Sequence, residues 1–567
     1  MPTAACSVSR RQALRYLAIT AGALGASMIV ACGSTPQPPT SPKPADSKPA
    51  EAKPAEAKPV ATTAPAAAPK AAEPPASGGK IVIGQDVAPV NLDVQRSGSF
   101  PSVEAFEHIY ESLARFDENL QVQPSLAESW ETPDPTTYTF HLRRGVKWHN
   151  GREFVASDVV FWHQRVSDPK IGSPDRPTFS PIEQVEALDD YTARMKLKKP
   201  FASLIPSLAA MRGSGIPNRE TVEQHGDLTT HAVGTGPYKL AEYVPNDYTR
   251  YVRNPDYWVK GLPLIDEITL KVMPEEDQRI AALRAGQIHI GSLSAVGAQR
   301  LANEKSVTVM QSPKAQLWMV QMNAQKKPWD DIRVRKALSM AIDRRAIVEK
   351  AAQGAGVLSG PVPTGHTDWY IPEDKLPYRQ DIEGAKKLLA EAGYPNGLKA
   401  TIKTSNAYRE MVASSVEIKN QLQAVGIDLT VEQLEWTQLL KVQAVAGDPN
   451  TIPDYELTTS RFIFFPDPDG YIGRFTPERN AIISSSATAL QDDRITQLLD
   501  MAEATTDHAE RKKLYDEAQM RMMNDVLNAL WVFNGSQIDG VSNALKGYKQ
   551  SFTGYRYLIR QAWLSQG

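Results

Sequence analysis

Asp467 and Asp469 alternate with Pro466 and Pro468, a spacing that could place two carboxylates for acid and base work on a glycosidic bond. The prolines instead indicate a rigid loop, and no second acid in the chain is marked as a partner. Gly234-Thr235-Gly236 begins like a phosphate-cradling loop, but neither Gly-Lys-Ser/Thr nor a third glycine follows, so a tight turn is expected. The nine histidines are scattered without a His-Glu-x-x-His pair, and no Gly-x-Ser-x-Gly elbow occurs. The chain therefore reads as a binding protein rather than an enzyme, with no cofactor and no metal. What remains are groups that hold molecules. An arginine could take a carboxylate or phosphate through two parallel hydrogen bonds. Aromatic rings offer faces that stack on sugar rings or apolar side chains and attract cations. The alternative for each ring is a place in the core.

Composition narrows the field. The chain has 567 residues, 41% of them hydrophobic, enough for one large core or several. Its 63 basic and 65 acidic residues leave a net charge of -2, without the basic excess of a nucleic-acid partner. Both cysteines, Cys6 and Cys32, stand near the N-terminus, so the rest of the chain can build neither a disulfide framework nor a thiolate metal site.

The N-terminus reads as an address. Ser9-Arg10-Arg11-Gln12-Ala13-Leu14-Arg15 resembles a twin-arginine export signal, with Ala13 departing from the usual larger residue. An uncharged, Ala/Gly-rich stretch from Tyr16 to Ala31 meets Ile29-Val30-Ala31-Cys32-Gly33, which resembles a lipobox. The stretch is near the roughly 17-residue minimum for spanning a bilayer, but its small residues and abrupt stop at cysteine favour a processed signal. Residues 1–32 are thus expected to be a signal peptide ending at the lipidation site, Cys32. Each buried methylene of the added chains contributes roughly 0.8 kcal/mol to anchoring. Residues 33–79 repeat Lys-Pro-Ala-acid at five-residue spacing, as in Lys48-Pro49-Ala50-Glu51 and Lys53-Pro54-Ala55-Glu56. Without aromatic residues such a segment cannot offset its ordering entropy, and its prolines keep it extended as a semi-rigid tether.

The folded body begins at Lys80. Alternation at Ile81 and Ile83, at Tyr138, Phe140 and Leu142, and at Ile268, Leu270 and Val272 predicts strands. Asn150-Gly151 predicts a tight turn. One long helix is expected over 330–351, others over 381–392, 409–425 and 511–525, and a strand over 530–533. Strands at 398–404 and 427–431 flank the third helix, which reads as a βαβ unit with parallel pairing. The body is α/β, about 490 residues long by the span from Lys80, and too long for one ordinary domain.

Several ordered segments resemble the family 5 extracellular solute-binding proteins, the oligopeptide, dipeptide and nickel group. They are Leu126-Ala127-Glu128-Ser129-Trp130, then Tyr138 through Gly151, Ala156-Ser157-Asp158-Val159, and Gly234-Thr235-Gly236-Pro237-Tyr238. Asn254-Pro255-Asp256-Tyr257-Trp258, Arg333 through Leu338 and Ala341-Ile342-Asp343-Arg344 complete the series. The resemblance implies a two-lobed periplasmic-binding-protein clamshell, type II-like, with an extra subdomain on the first lobe. It divides the body into lobe I (80–105, 233–321 and 535–567), an inserted subdomain (106–232) and lobe II (322–534). Hinges are implied near Met322-Asn323 and Asn534-Gly535. It also implies a monomer outside the cytoplasmic membrane that captures a small solute, peptide-like or an oligosaccharide, and passes it to an ABC permease with its ATPases. A sensing or structural surface lipoprotein, or a hydrolase, would be the alternatives.

The resemblance also sharpens the site. Peptide-binding relatives carry an Asp-Tyr-Pro-Asp-Pro-like segment whose first aspartate pairs with the ligand's amino terminus. Here the match is Phe464-Phe465-Pro466-Asp467-Pro468, so Phe464 replaces that acid. An ammonium buried without a carboxylate would be costly, which argues against ordinary peptide recognition. Trp318, Tyr408, Trp436, Arg461, Phe462, Phe464 and Asp467 are the expected ligand-contacting residues.

Overall fold

Ile81 and Ile83 project to one face of a strand at Lys80–Gln85 and are fully buried there. In the computed structural model, which describes residues 77–443, 453–462, 464–476 and 492–565, this strand pairs in parallel with Glu267–Val272. The register, Ile81 opposite Ile268 and Ile83 opposite Leu270, puts the expected apolar alternations on one buried face. Eleven strands of the described residues join this sheet, one of them, Gly356–Leu358, pairing with Ala529–Ser542 off the main order. Beyond Lys80–Gln85 on one side come Glu267–Val272, Tyr248–Arg253 and Tyr238–Val244. On the other come Ile290–Ser292, Ala529–Ser542, Val307–Met322, Leu457–Phe462, Leu398–Ser405 and Ile427–Leu434.

The sheet is continuous but its cores are not. One apolar cluster gathers around Ile81, Ile268, Ile290 and Val541, and a much larger one around Leu317–Met322, Ile402, Leu457 and Ala529–Phe533. Val307–Met322 and Ala529–Ser542 are the strands that run through both halves, antiparallel to each other. Their register breaks between Pro313 and Leu317, opposite Ser536 and Asn534. Lys314, Ala315 and Gln316 therefore bulge against Gly535, where an added Cβ would come within 3.2 Å of the Trp318 indole nitrogen. The bulge is tied down from both sides: the Ala315 amide donates to the Phe552 carbonyl, and the Asn534 side chain donates to the Lys314 carbonyl.

A separate four-stranded antiparallel sheet, ordered Ala127–Asp134, Thr137–Leu142, Thr192–Leu197 and Ile182–Asp189, carries the Ala156–Ser167 helix. Trp148, Phe140, Phe154, Trp162 and Met195 fill the space between them. Asn150-Gly151 makes the expected turn, with Gly151 at φ 93° and its amide donating to the Trp148 carbonyl at 2.8 Å. The Gly234-Thr235-Gly236 segment answers a different need. A Cβ at Gly234 would lie 1.9 Å from the Ile109 carbonyl oxygen, so the glycines permit close backbone approach rather than a left-handed turn or a phosphate cradle. Gly234→Ala is expected to lower stability by about 1–3 kcal/mol, read as a shift in the denaturant midpoint at unchanged slope.

The expected helix over 330–351 is two helices, Ile332–Ala341 and Arg344–Ala351. Ile342 is extended, and the Asp343 carboxylate accepts from the Arg345 and Ala346 amides, starting a new helix instead of continuing the old one. The last helix, Arg511 to Asp525 in the sequence reading, runs over His508–Arg521 and loosens into a π-turn at Met522–Val526. The strand expected at 530–533 reaches Ala529–Ser542. The βαβ unit is as read, Leu398–Ser405 and Ile427–Leu434 pairing in parallel around Arg409–Leu422. No helix of the described residues is long and apolar enough to cross a membrane. The expected signal peptide and most of the expected tether lie outside the described residues.

Candidate functional site

Trp318 and Arg461 are cross-strand partners, directly opposite in the pairing of Val307–Met322 with Leu457–Phe462. Tyr408 stands just before the Arg409–Leu422 helix, and Trp436 opens the Trp436–Gln443 helix. The βαβ connections bring both back over the end of the sheet. The Tyr408 ring meets Trp436 edge-on at 5.1 Å and Trp318 at 6.1 Å. The Arg461 guanidinium lies 3.8 Å above the Tyr408 ring and 5.8 Å from Trp436, and it donates to the Tyr408 hydroxyl. Four of the seven expected residues thus form one aromatic box around a cation, one residue pair from the bulge.

The other three are placed elsewhere. Phe462 projects into the larger core, edge-on to Phe465 and close to Phe475. Phe464 is 1% exposed and packs with Phe116, Ala209, Ala210 and Ala315. It lies parallel to the His366 ring at 5.6 Å, and His366 in turn meets Phe552. Asp467 has a structural task. It caps the Pro468–Ile472 helix, pairs with Arg511 at 2.9 Å and accepts from the Tyr515 hydroxyl at 2.9 Å. Its carboxylate is buried and already accepts from the Asp469 amide, Arg511 and Tyr515, so it is engaged in the fold.

Burial and neighbouring charge set the electrostatics. Burial pulls the Arg461 pKa below its ordinary value, against the opposing pull of Tyr408, Glu410 and Asp86. Burial likewise lowers His366 to about 4, only partly offset by Asp467, so its imidazole is neutral at physiological pH. For Asp467 burial pushes the carboxyl up, but Arg511 and the hydrogen bonds from Asp469, Arg511 and Tyr515 prevail and hold it below the usual range.

Lys314 is the residue that sequence reasoning missed. It sits in the bulge, its ammonium 4.0 Å above the Phe100 ring, and burial lowers its pKa while Asp86 opposes that shift. Nothing in Ser312-Pro313-Lys314-Ala315 distinguishes it from a surface lysine, because the bulge is a product of long-range pairing. A cavity between Glu107, Tyr110, Met211, Tyr555 and Arg560 has none of the seven expected residues in its lining. Among the described residues no cluster of three or more His, Cys, Asp or Glu could hold a metal ion.

Comparison with known proteins agrees with this architecture. The family model for bacterial extracellular solute-binding proteins, family 5 (middle region), matches residues 121–481. Heme-binding protein A of Haemophilus influenzae is 31% identical over 486 residues, spanning 79% of this chain and 86% of that protein. The dipeptide-binding protein of Escherichia coli is 29% identical, over 78% of this chain and 86% of its own length. Among solved structures, the ABC transporter-associated periplasmic binding protein DppA of Helicobacter pylori, in complex with the peptide STSA, aligns with a TM-score of 0.74. That alignment has 27% identity and covers 87% of this chain and 99% of the other. The fold is accordingly the α/β clamshell of periplasmic binding proteins, a scaffold that these relatives use for binding rather than catalysis. With more than half of its length matched, the chain belongs to the bacterial extracellular solute-binding proteins of family 5.

Proposed function

We propose that the chain is the solute-capturing lipoprotein of an ABC importer, anchored outside the cytoplasmic membrane through Cys32 and held off it by the tether of 33–79. Lobe I is assigned to 80–105, 233–321 and 535–567, with the insert at 106–232, and lobe II to 322–534. Hinges are taken near Met322-Asn323 and near Asn534-Gly535, on the two antiparallel strands that run through both cores. Two bending strands allow the lobes to close on a solute and present a changed surface to a permease.

The observation that carries this reading is the box of Trp318, Tyr408, Trp436 and Arg461 beside the two strands that join the cores. The solute is taken to be small and peptide-like, in keeping with the peptide held by the Helicobacter pylori protein. An oligosaccharide would stack on the same faces but finds no comparable support among these relatives. Native mass spectrometry of the full-length chain, released from detergent, tests the capture. An added mass that leaves on activation is expected, and a bare mass together with no binding from a broad metabolite panel would sink the reading. Trp436→Ala is expected to weaken capture by about tenfold or more, the loss typical of a buried aromatic anchor. Isothermal titration with the solute so identified checks it.

A further inference from the structure

Two cations, Lys314 in the bulge and Arg461 within the box, have no carboxylate partner among the described residues. The Lys314 stem is wedged between Phe100 and Gly554, where an added Cβ would come within 2.7 Å of Cε. An ammonium has three donors to satisfy. Among the described residues Lys314 Nζ has neither a hydrogen-bond acceptor nor a carboxylate, only the Phe100 ring face. Arg461 spends one nitrogen on the Tyr408 hydroxyl and its faces on Tyr408 and Trp436, and it too makes no ion pair among the described residues. No nitrogen of either side chain is both sealed from solvent and unpartnered, so their open donors remain reachable.

The acidic groups nearby do not fill this gap. Asp86, exposed at the end of the Lys80–Gln85 strand, and Glu410 act on Arg461 through their fields without forming an ion pair with it. Glu104 and Arg556, which also act on Lys314, are bound to each other. A half-buried cation lacking a counter-ion is costly, and a ligand anion removes that cost. The segment expected to receive an ammonium is not free to do so. The position that would hold an acid for an ammonium is Phe464, enclosed by Phe116, His366 and Ala315, and Asp467 is already paired with Arg511.

We propose that the captured solute bears a carboxylate received jointly by Lys314 and Arg461, and that a free α-ammonium is not required for recognition. This rests on the solute-capture reading above and specifies its ligand. The test uses the full-length chain in detergent and a library of short peptides prepared in four forms, with the amino end free or acetylated and the carboxyl end free or amidated. Titration calorimetry is expected to show amidation weakening binding by about thirtyfold, the value of a charge-assisted contact, while acetylation changes it less than about threefold. In Lys314→Met and in Arg461→Met the penalty for amidation is expected to shrink to a few-fold. Arg461→Lys, which keeps the charge, is expected to restore part of it. Binding that survives amidation but is lost on acetylation would overturn the carboxylate proposal and leave solute capture standing. No binding by any form, with a bare native mass, would overturn both.

Discussion

Replacing Arg556 with methionine is expected to destabilise the folded body by about 3–5 kcal/mol, the usual cost of leaving buried charges unpaired. Arg556 is 3% exposed and joins two carboxylates, Glu104 from the Phe100–Phe106 helix and Asp539 from the long strand Ala529–Ser542. It also donates to the Ser292 hydroxyl at 3.0 Å. Asp539 accepts further hydrogen bonds from Gln537, Tyr548 and Gln550, so this cluster ties helix, sheet and C-terminal segment together. Burial alone would raise the Asp539 pKa, but Arg556 and the hydrogen bonds from Gln550 and Gln537 outweigh it and hold the group below the ordinary value. The wild-type contribution of Asp539 is therefore present above its unfolded pKa, about 3.9, and is lost as pH falls through the lower folded value. Without Arg556 the sign reverses. Asp539 is then buried without its cation, its folded pKa rises, and the variant should recover stability as pH is lowered from neutrality toward 5. Denaturant melts at the two pH values separate this outcome from simple loss of packing, which would cost the same at both.

How much of this was legible beforehand depended on the range of the interactions. The Asn150-Gly151 turn, the alternation at Ile81 and Ile83 and the parallel unit around Arg409–Leu422 are written in local pattern, and each appears as read. The break at Ile342 was written there too, since Asp343 is a strong helix starter, but apolar periodicity across 330–351 masked it. At the site, Trp318, Tyr408, Trp436 and Arg461 converge because strand pairing sets Trp318 opposite Arg461, a register no local pattern encodes. Asp467 attracted notice as a carboxylate between prolines, yet its partner Arg511 is 44 residues away in sequence. Lys314 was invisible for the same reason, as its place beside Phe100 depends on a bulge against Gly535.

Phe464→Ala is expected to act on closure of the lobes more than on their folding. The ring lies parallel to His366, which belongs to the segment assigned to lobe II. Its other neighbours, Phe116, Ala209, Ala210 and Ala315, belong to segments assigned to lobe I and its insert, and Phe116 meets it edge-on at 5.7 Å. The Phe464 carbonyl also accepts from Arg212 at 3.4 Å across the same boundary, a backbone contact the substitution leaves in place. Opening the clamshell would expose the ring, so its truncation penalises the closed form and barely touches the open one. Large-to-small changes at buried aromatics cost about 3–5 kcal/mol when the whole environment is lost. Only the contacts across the boundary count here, and roughly half of that cost is about 2 kcal/mol, or some thirtyfold in the closed-to-open ratio. Apparent affinity falls by the fraction of molecules able to close. Small-angle scattering should therefore show a larger radius of gyration in the unliganded variant, with the solute's dissociation constant raised by a comparable factor. Unchanged scattering and affinity with a lowered melting temperature would mean that the ring serves folding, and that the boundary between the lobes is drawn in the wrong place.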